Sequence, residues 1–249
     1  MILLLDVGNT RIKWAWHQAG WMGAMEAVVH RGQDLSAVLV QSLRSGVKPA
    51  RVLVANVAGV PAEVAIEQWS RTYWGIGPEF VTSELFAHGV RNAYQTPYQL
   101  GVDRWLGLVA ARVAGAGACC VVSCGTAVTV DALTGDGVHL GGAIAPGFGL
   151  MRDALRTGTA QVKAAPEELK IPALFADNTD DAVSAGIGYS LAGLVERAYR
   201  QLAQVQSTPP RCIITGGDGE RLGNYLSIPH TQVANLVLSG LARVASVPK

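Results

Sequence analysis

The sequence predicts an α/β protein made of two similar domains, because strands alternate with helices and one strand-turn-strand pattern occurs twice. In the first copy, the apolar run Met1 to Leu5 ends in Asp-Val-Gly-Asn-Thr, and a strand pattern resumes from Ile12 to Trp16. In the second copy, the run Cys119 to Val122 ends in Ser-Cys-Gly-Thr-Ala, and a strand pattern resumes from Val128 to Leu133. Each copy therefore predicts a hairpin whose turn contains glycine.

These two copies indicate an internal duplication. Leu4 of the first copy corresponds to Val121 of the second, an offset of 117 residues. We therefore expect one domain over residues 1–116 and another over residues 117–249, with both glycine turns directed into a central cleft between the domains. A chance similarity of two apolar strands is the alternative interpretation.

The segments between and after the copies continue the alternation of strands and helices. Apolar spacing and start signals such as Pro61 predict helices at 35–43, 61–73, 102–113, 150–156, 179–202 and 235–244. Short apolar runs predict strands at 51–57, 79–82 and 212–215. Residues 83–100 are polar and rich in turn-forming residues, so no regular element is predicted there.

The composition excludes several classes of protein. The 249 residues are 49% hydrophobic and carry 20 Lys+Arg against 19 Asp+Glu, so an intrinsically disordered chain is excluded. No basic excess exists to neutralise phosphates along a duplex, which argues against nucleic-acid binding. The 29 glycines exceed the usual proportion of about 7% and favour tight turns and close approach of backbone to ligands.

Sequence features also favour a reducing cytoplasm and no membrane association. The apolar start lacks basic residues and reaches Asp6 too soon for a signal peptide. The charge-free stretch from Val113 to Val130 contains several Gly, Ser and Thr residues, so we expect strand and turn there. The four cysteines lack metal-ligand spacing, as do the five scattered histidines, so we expect buried reduced thiols and no histidine metal site.

The first glycine turn carries groups that suit a polyphosphate. Backbone N–H groups of a glycine turn can bind an anion, Lys13 adds a positive charge, and Asp6 can orient the ligands of Mg²⁺. The set of candidate residues is Asp6, Gly8, Asn9, Thr10, Arg11 and Lys13. A solvated hairpin turn is the alternative, since Asp-x-Gly-Asn is good turn chemistry by itself.

The second glycine turn offers a similar set of groups. Gly125, Thr126 and Thr129, with Asp131 nearby, could bind the other end of the same phosphate chain. Taken by itself, the pattern is explained equally well by an ordinary glycine turn. The internal duplication favours the functional interpretation.

A third candidate lies at the predicted start of the helix over 102–113. Asp103 could accept a proton from an acceptor hydroxyl, and Arg104 could bind a carboxylate by two parallel hydrogen bonds, as Lys could not. The alternative is that an acidic residue in the first turn of a helix is favoured by the helix dipole alone.

Two further glycine motifs give weaker signals. Gly216 and Gly217 follow a predicted strand, where missing side chains would let an adenine ring lie against the backbone. A plain turn at the end of a strand is equally consistent. The segment from Gly141 to Gly147 could form a pocket wall.

The order of these motifs resembles the type III pantothenate kinases, which belong to the superfamily of acetate kinase, sugar kinases, Hsp70 and actin. The resemblance covers nearly the whole chain. It rests on Asp6-Val-Gly-Asn-Thr-Arg-Ile-Lys13, Asn92-Ala-Tyr94, Leu100-Gly-Val-Asp-Arg-Trp105, Gly125-Thr-Ala-Val-Thr129 with Asp131, Gly141-Gly-Ala-Ile-Ala-Pro-Gly147, Asn178-Thr179, Thr215-Gly-Gly217 and Leu236-Val-Leu-Ser-Gly-Leu241. The family's fold implies two actin-like, that is ribonuclease H-like, domains around a cleft.

What the resemblance implies for function is specific. It implies ATP-dependent phosphorylation of the primary hydroxyl of pantothenate, the first step toward coenzyme A, by a homodimer that uses Mg²⁺ and K⁺ or ammonium. By resemblance Asp103 is the base, and the pantothenate pocket contains Tyr94, Gly101, Val102, Arg104 and the partner subunit's Thr179. The residues implied in binding ATP are Asp6, Val7, Gly8, Asn9, Thr10, Arg11, Ile12, Lys13, Gly125, Thr126, Thr129, Gly216 and Gly217.

One residue departs from the family's pattern. The second phosphate turn of the family usually begins with Asp, and this chain has Ser123 there. A hydroxyl carries no negative charge, so cation binding near the phosphates should weaken unless Asp131, Asp6 or a water compensates.

We expect an active pantothenate kinase with weakened or altered cation dependence. Two alternatives stay open. One is a non-catalytic relative that keeps the dimer and acts as an accessory or regulatory protein, for which Ser123 is the sequence support. The other is a kinase of the same fold that acts on another hydroxylated acid or a sugar.

Overall fold

The computed structural model describes residues 1–43, 47–160, 162 and 171–247. The chain forms two compact units. The first contains Met1–Val113 together with Asn235–Lys249, and the second contains Ala114–Ala234.

The first unit is built on a mixed sheet. Its strands are β1 (Ile2–Val7), β2 (Arg11–Gln18), β3 (Trp21–Met22), β4 (Glu26–Val29), β5 (Arg51–Asn56), β6 (Glu79–Phe80), β7 (Phe86–Ala87) and β8 (Val90–Arg91). Its helices are α1 (Leu35–Ser42), α2 (Val60–Trp74), a 3₁₀ turn (Pro97–Gln99), α3 (Val102–Val113) and the carboxyl-terminal helix Leu236–Ala245. The main sheet has the order β3-β2-β1-β5-β6, β4 also pairs with β2, and β7 and β8 form a separate hairpin.

The second unit repeats this arrangement. Its strands are β9 (Cys119–Cys124), β10 (Ala127–Leu133), β11 (His139–Pro146), β12 (Arg211–Thr215) and β13 (Thr231–Gln232). Its helices are α4 (Phe148–Gly158), α5 (Thr179–Gln204) and α6 (Gly219–Gly223), so the carboxyl-terminal helix Leu236–Ala245 is α7. The sheet has the order β11-β10-β9-β12-β13.

The two sheets share one connectivity. In each, the first strand pairs antiparallel with the second across a glycine turn, and parallel with a strand that follows a longer connection. The apolar runs of β1 and β9 are buried because each is the central strand of its sheet. The predicted α/β fold of two similar domains is therefore confirmed at the level of strand order.

The carboxyl-terminal segment corrects the predicted domain boundaries. The break between residues 113 and 114 lies near the predicted one at 116, but Asn235–Lys249 groups with the first unit and not with the second. The reason is packing: α7 lies against α3, β1 and β5, and a side chain at Gly240 would overlap the Leu106 carbonyl group. Glycine permits this close approach of two helices.

The core of the second unit packs α5 against one face of β9, β10 and β12. All four cysteines are buried. Burial raises the pKa of the thiols of Cys120, Cys124 and Cys212 to about 12. These thiols are therefore part of the apolar core.

Several elements differ from the sequence prediction. The segment from Gly141 to Gly147 lies mostly in the edge strand β11, and residues 83–100 contain the β7–β8 hairpin and the 3₁₀ turn. The stretch from Val113 to Val130 contains β9 and the turn after it, as predicted. Among the described residues, no helix is both long and apolar enough to cross a bilayer.

Candidate active site

The turn between β1 and β2 holds the first predicted phosphate-binding residues. The Gly8 N–H donates to the Arg11 carbonyl oxygen at 3.0 Å, which closes the turn, and Asn9 at its tip is exposed. His30, which the sequence analysis left without a role, lies against this turn with its ring Nε2 2.7 Å from the Gly8 carbonyl oxygen.

Asp6 and Lys13 flank the base of that turn. They are directly opposite each other in the β1–β2 ladder, and Lys13 Nζ lies 3.7 Å from Asp6 Oδ2. Burial raises the pKa of the Asp6 carboxyl to about 6, the positive charge of Lys13 opposes this rise, and the charge of Asp103 adds to it. The influence of Asp103 means that the predicted base and the predicted magnesium ligand are close enough to interact electrostatically.

The local backbone at the start of α3 fixes the Asp103 carboxylate. Its Oδ1 accepts a hydrogen bond from the Arg104 N–H at 2.8 Å, so the carboxylate lies over the first turn of the helix. A Cβ atom at Gly101 would lie 2.7 Å from that same oxygen, so glycine leaves space for the carboxylate in this position. Val102 is buried and anchors the turn in the core.

Arg104 and Tyr94 form a second polar contact in the first unit. Arg104 is only 7% exposed, and its Nη1 donates to the Tyr94 hydroxyl at 3.1 Å. The guanidinium group also lies 5.8 Å from the centre of the Tyr94 ring. Asn92 orients Tyr94, since its Oδ1 accepts a hydrogen bond from the Tyr94 N–H at 3.0 Å.

Two glycines, Gly125 and Gly147, shape the turn between β9 and β10. The Gly125 N–H donates to the Ala127 carbonyl oxygen, and the Gly147 N–H donates to the Thr126 carbonyl oxygen at 2.9 Å. A Cβ atom at Gly147 would overlap the Gly125 carbonyl group, whereas a Cβ atom at Gly125 would meet nothing within 4 Å. The turn therefore has a fixed backbone and an open side at Gly125.

Three hydroxyl side chains form a row across neighbouring strands next to this turn. Ser123 on β9 is the register partner of both Thr129 on β10 and Thr215 on β12. Directly paired residues point to the same face of a sheet. Thr215 leads into Gly216, which has φ of +100° and lies against the carbonyl group of Cys124.

Similarity to known proteins decides the family. The family model of type III pantothenate kinase matches residues 2–201. A type III pantothenate kinase of Nitrosococcus oceani is 41% identical over 250 residues, covering 98% of this chain and 94% of the relative. The chain belongs to the type III pantothenate kinase family.

Solved structures agree on the fold. A protein of Campylobacter jejuni described as a Baf family transcriptional activator superimposes with a TM-score of 0.62 at 21% identity, covering 97% of this chain and 96% of that one. A protein of Sinorhizobium meliloti, described as a candidate 2-dehydro-3-deoxygalactonokinase, gives a TM-score of 0.60 at 14% identity, with 98% of each chain covered. The two-domain architecture implied by the family resemblance is therefore confirmed.

Within this pantothenate kinase family member, the predicted site residues fall into two groups. Asp6, Lys13, Asp103, Arg104 and Tyr94 belong to the first unit. The first unit also contains the other residues of the first turn and of the α3 start, namely Val7, Gly8, Asn9, Thr10, Arg11, Ile12, Gly101 and Val102. The second unit contains Ser123, Gly125, Thr126, Thr129, Thr179, Gly216 and Gly217. The strand order places each predicted phosphate turn after the central strand of its own sheet.

Asp131 does not fit the compensating role considered for it. Its carboxylate is 2% exposed and lies 2.9 Å from the ring Nε2 of His139, which is equally buried. A carboxylate held in such a buried pair is poorly placed to replace the acid that the family usually has at position 123.

Thr179 lies at the start of α5, at the rim of an apolar groove. Asn178 caps the helix, since its Oδ1 accepts a hydrogen bond from the Asp181 N–H at 3.0 Å. Thr179 itself is exposed. The groove measures about 640 Å³ and is lined mainly by apolar side chains of α4 and α5.

Proposed function

We propose that this protein transfers the γ-phosphoryl group of ATP to the primary hydroxyl of pantothenate, which gives 4'-phosphopantothenate in the first step of coenzyme A biosynthesis. The observation that carries the proposal is the start of α3, where Gly101 leaves room for the Asp103 carboxylate and Arg104 is held against Tyr94. Membership in the type III pantothenate kinase family identifies the acceptor class.

Asp103 acts as the general base. Its carboxylate accepts the proton of the pantothenate hydroxyl as that oxygen forms a bond to the γ-phosphorus, and the bond to the β-γ bridging oxygen breaks to release ADP. The hydrogen bond from the Arg104 N–H to Oδ1 fixes the orientation of the carboxyl group.

Arg104 and Tyr94 bind the acceptor, together with the backbone of Gly101 and Val102. Pantothenate carries a carboxylate, and Arg104, a residue only 7% exposed, can bind such a group through its guanidinium group with little competition from water. The Tyr94 hydroxyl, already in contact with Arg104, fixes the direction of the guanidinium group.

The two glycine turns bind the nucleotide. Residues of the first turn and its strands hold the transferred end of the triphosphate, namely Asp6, Val7, Gly8, Asn9, Thr10, Arg11, Ile12 and Lys13. Gly125, Thr126 and Thr129 hold the other phosphates, and the backbone at Gly216 and Gly217 lies against the adenosine.

Mg²⁺ fits the chemistry of Asp6. This ion prefers oxygen ligands and usually takes one or two carboxylates along with phosphate oxygens. A raised pKa of about 6 leaves Asp6 largely ionised at neutral pH, so it can serve as such a ligand. When bound, the ion neutralises charge on the phosphates of ATP.

The remaining cofactor is a monovalent cation, K⁺ or ammonium, which this protein binds weakly. Ser123 with Thr129 and Thr215 offers hydroxyl oxygens but no charge at the position where the family usually has Asp. Neutral oxygen ligands bind a monovalent ion less strongly than a carboxylate does. Cation dependence should therefore be weaker than an acid at position 123 would give.

The active form is a homodimer in the cytoplasm. The groove between α4 and α5 exposes apolar side chains, including Leu155 at 37%, and Ile144 on the edge strand β11 is 64% exposed. A second copy would cover such a surface and would bring the partner subunit's Thr179 toward the pantothenate pocket. The four buried thiols suit a reducing compartment.

A coupled ADP-release assay tests the proposed activity. The assay contains ATP and Mg²⁺ and offers one acceptor at a time: pantothenate, a sugar or another hydroxylated acid. Among these acceptors, only pantothenate is expected to give turnover. Turnover with a sugar in place of pantothenate would identify a different kinase of this fold. Binding of ATP or pantothenate without any turnover would identify a non-catalytic relative.

A further inference from the structure

His30 makes a contact that no catalytic role assigned above explains. It follows β4 (Glu26–Val29), lies 22 residues from Gly8 along the chain and is 9% exposed. Its ring Nε2 lies 2.7 Å from the Gly8 carbonyl oxygen. Because a carbonyl oxygen can only accept, Nε2 must carry the proton and donate it.

The backbone of the same segment holds the turn at a second point. The His30 N–H donates to the Thr10 carbonyl oxygen at 3.0 Å, and the Arg31 N–H approaches the same oxygen at 3.3 Å. Two carbonyl groups of the β1–β2 turn, those of Gly8 and Thr10, are therefore bound by one short segment. The backbone contact would survive any substitution at position 30 other than proline, whereas the ring contact depends on the side chain.

Fixing the Gly8 carbonyl group also fixes an N–H group. The peptide unit from Gly8 to Asn9 is planar and trans, so its C=O and N–H groups point in opposite directions. Because the Gly8 carbonyl oxygen is hydrogen-bonded to the His30 ring, the Asn9 N–H points away from His30, toward the exposed side of the turn. An amide in that position is a ready donor to an anion.

We propose that His30 is a positioning residue for nucleotide binding: its ring holds the Gly8–Asn9 peptide so that the Asn9 N–H is presented to a phosphate group of ATP. This inference rests on the proposed function, since it takes the β1–β2 turn as a phosphate-binding turn. The ring does not touch the nucleotide and acts only through the Gly8 carbonyl group.

Three substitutions at position 30 separate this role from a general effect on stability. The amide nitrogen of Gln reaches about as far as the imidazole Nε2, whereas that of Asn reaches only as far as Nδ1, and Leu cannot donate at all. His30→Gln should therefore rescue the contact that His30→Asn and His30→Leu lose.

The matched control is His17, which is 5% exposed on β2 and pairs with Ile2 at the other end of the β1–β2 ladder from the turn. His17→Asn and His17→Gln make the same chemical changes at another buried histidine of the same unit. They report how far a buried histidine substitution by itself alters the kinetics.

Steady-state kinetics and calorimetric titration with MgATP test the proposal, with thermal unfolding measured for every variant. Losing one positioned donor should raise the KM and Kd for ATP about fivefold to tenfold in His30→Asn and His30→Leu. His30→Gln should stay within about twofold of the wild type, and the KM for pantothenate should be unchanged throughout.

Two results would overturn the inference. One is an equal ATP affinity in the Asn and Gln variants at position 30. The other is a loss of ATP affinity in the His17 variants as large as that in the His30 variants. Failure of the proposed function looks different: the wild-type protein would show no turnover with pantothenate, while the titration with MgATP would still report on His30.

Discussion

Arg104 donates a hydrogen bond from Nη1 to the Tyr94 hydroxyl at 3.1 Å, and Asn92 holds the Tyr94 backbone by a hydrogen bond of 3.0 Å. Tyr94, ten residues earlier in the chain, thereby fixes the guanidinium group of the buried Arg104. A cation held in this way has little rotamer entropy left to lose when an acid binds to it.

We therefore expect Arg104→Lys to raise the KM for pantothenate by at least about tenfold, with a smaller change in the KM for ATP. Lysine keeps the charge but cannot form two parallel hydrogen bonds to a carboxylate. Tyr94→Phe should raise the KM for pantothenate less, because the ring contact with Arg104 remains. Kinetics with each substrate varied in turn measure both effects, and an unchanged KM for pantothenate in Arg104→Lys would contradict the assignment.

Asp103→Asn should nearly abolish turnover and leave pantothenate binding nearly intact. Asparagine keeps an oxygen that can accept from the Arg104 N–H, so the local structure should survive, but it cannot take up the proton of the hydroxyl. Turnover should fall by about 10² to 10⁴. Single-turnover kinetics and equilibrium binding of pantothenate measure the two quantities, and lost binding with residual turnover would remove Asp103 from the role of base.

The sequence predicted the parts of the site that depend on local pattern. Short-range periodicity and turn chemistry predict the two hairpins whose turns contain Gly8 and Gly125. They also predict the helix that begins near Asp103. Contacts between distant segments could not be predicted in this way. The His30 ring lies against the Gly8 carbonyl group across 22 residues, and no spacing rule connects the two.

Two differences from the sequence prediction have physical causes of the same kind. The order of the chain predicts α7 as part of the second domain, but its packing partner α3 lies more than a hundred residues earlier. The sequence predicts no strand at β11, where Gly141, Gly142 and Pro146 are poor strand formers. Pairing with β10 at the edge of the sheet outweighs that low propensity.

Ser123→Asp should raise turnover and strengthen the dependence on K⁺ or ammonium. The carboxylate would add a negative charge between Thr129 and Thr215, where the wild-type protein offers only hydroxyl groups. Turnover measured against K⁺, ammonium and Mg²⁺ concentration gives the result. Ser123→Asn, which adds similar bulk without charge, is the control, and kinetics of Ser123→Asp that match the wild type in every cation would refute the idea.

Gly216→Ala and Gly125→Ala should separate folding from nucleotide binding. At Gly216, φ of +100° and the nearby Cys124 carbonyl group leave no room for a methyl group, so stability should fall by about 2 kcal/mol or more. At Gly125 a methyl group meets nothing within 4 Å, so stability should change by less than about 1 kcal/mol. The KM for ATP should nevertheless rise in Gly125→Ala, because the methyl group occupies the open side of the turn.

Urea unfolding and ATP kinetics on both glycine variants check this pair of expectations. Gly193→Ala on α5 is the control, since its Cβ atom also meets nothing within 4 Å and it lies outside both turns and outside the lining of the α4–α5 groove. If Gly125→Ala leaves the KM for ATP unchanged, the second turn does not approach the nucleotide. If Gly216→Ala is as stable as the wild type, the backbone at position 216 can change its φ to accommodate a side chain, and the expected strain is absent.

Asp6→Asn should make the protein more stable at neutral pH in Mg²⁺-free buffer. Burial raises the pKa of Asp6 from 3.8 to about 6, so the folded protein binds this proton more tightly than the unfolded chain does. Between about pH 4 and pH 6 the unfolded state gives up the proton first, and the stability of the wild type falls as pH rises through this range. Above that range the buried carboxylate costs about 2–3 kcal/mol, which Asn removes.

Urea unfolding of both proteins at several pH values between 4 and 8 measures this difference. The stabilisation by Asp6→Asn should be near zero at pH 4, should grow up to about pH 6.5 and should then stay constant. Asp34→Asn is the matched control, because Asp34 is exposed and caps α1, a position that Asn fills about as well. A difference between Asp6→Asn and the wild type that does not vary with pH would mean that Asp6 titrates as an ordinary carboxylate, and that the positive charge of Lys13 fully offsets the effect of its burial.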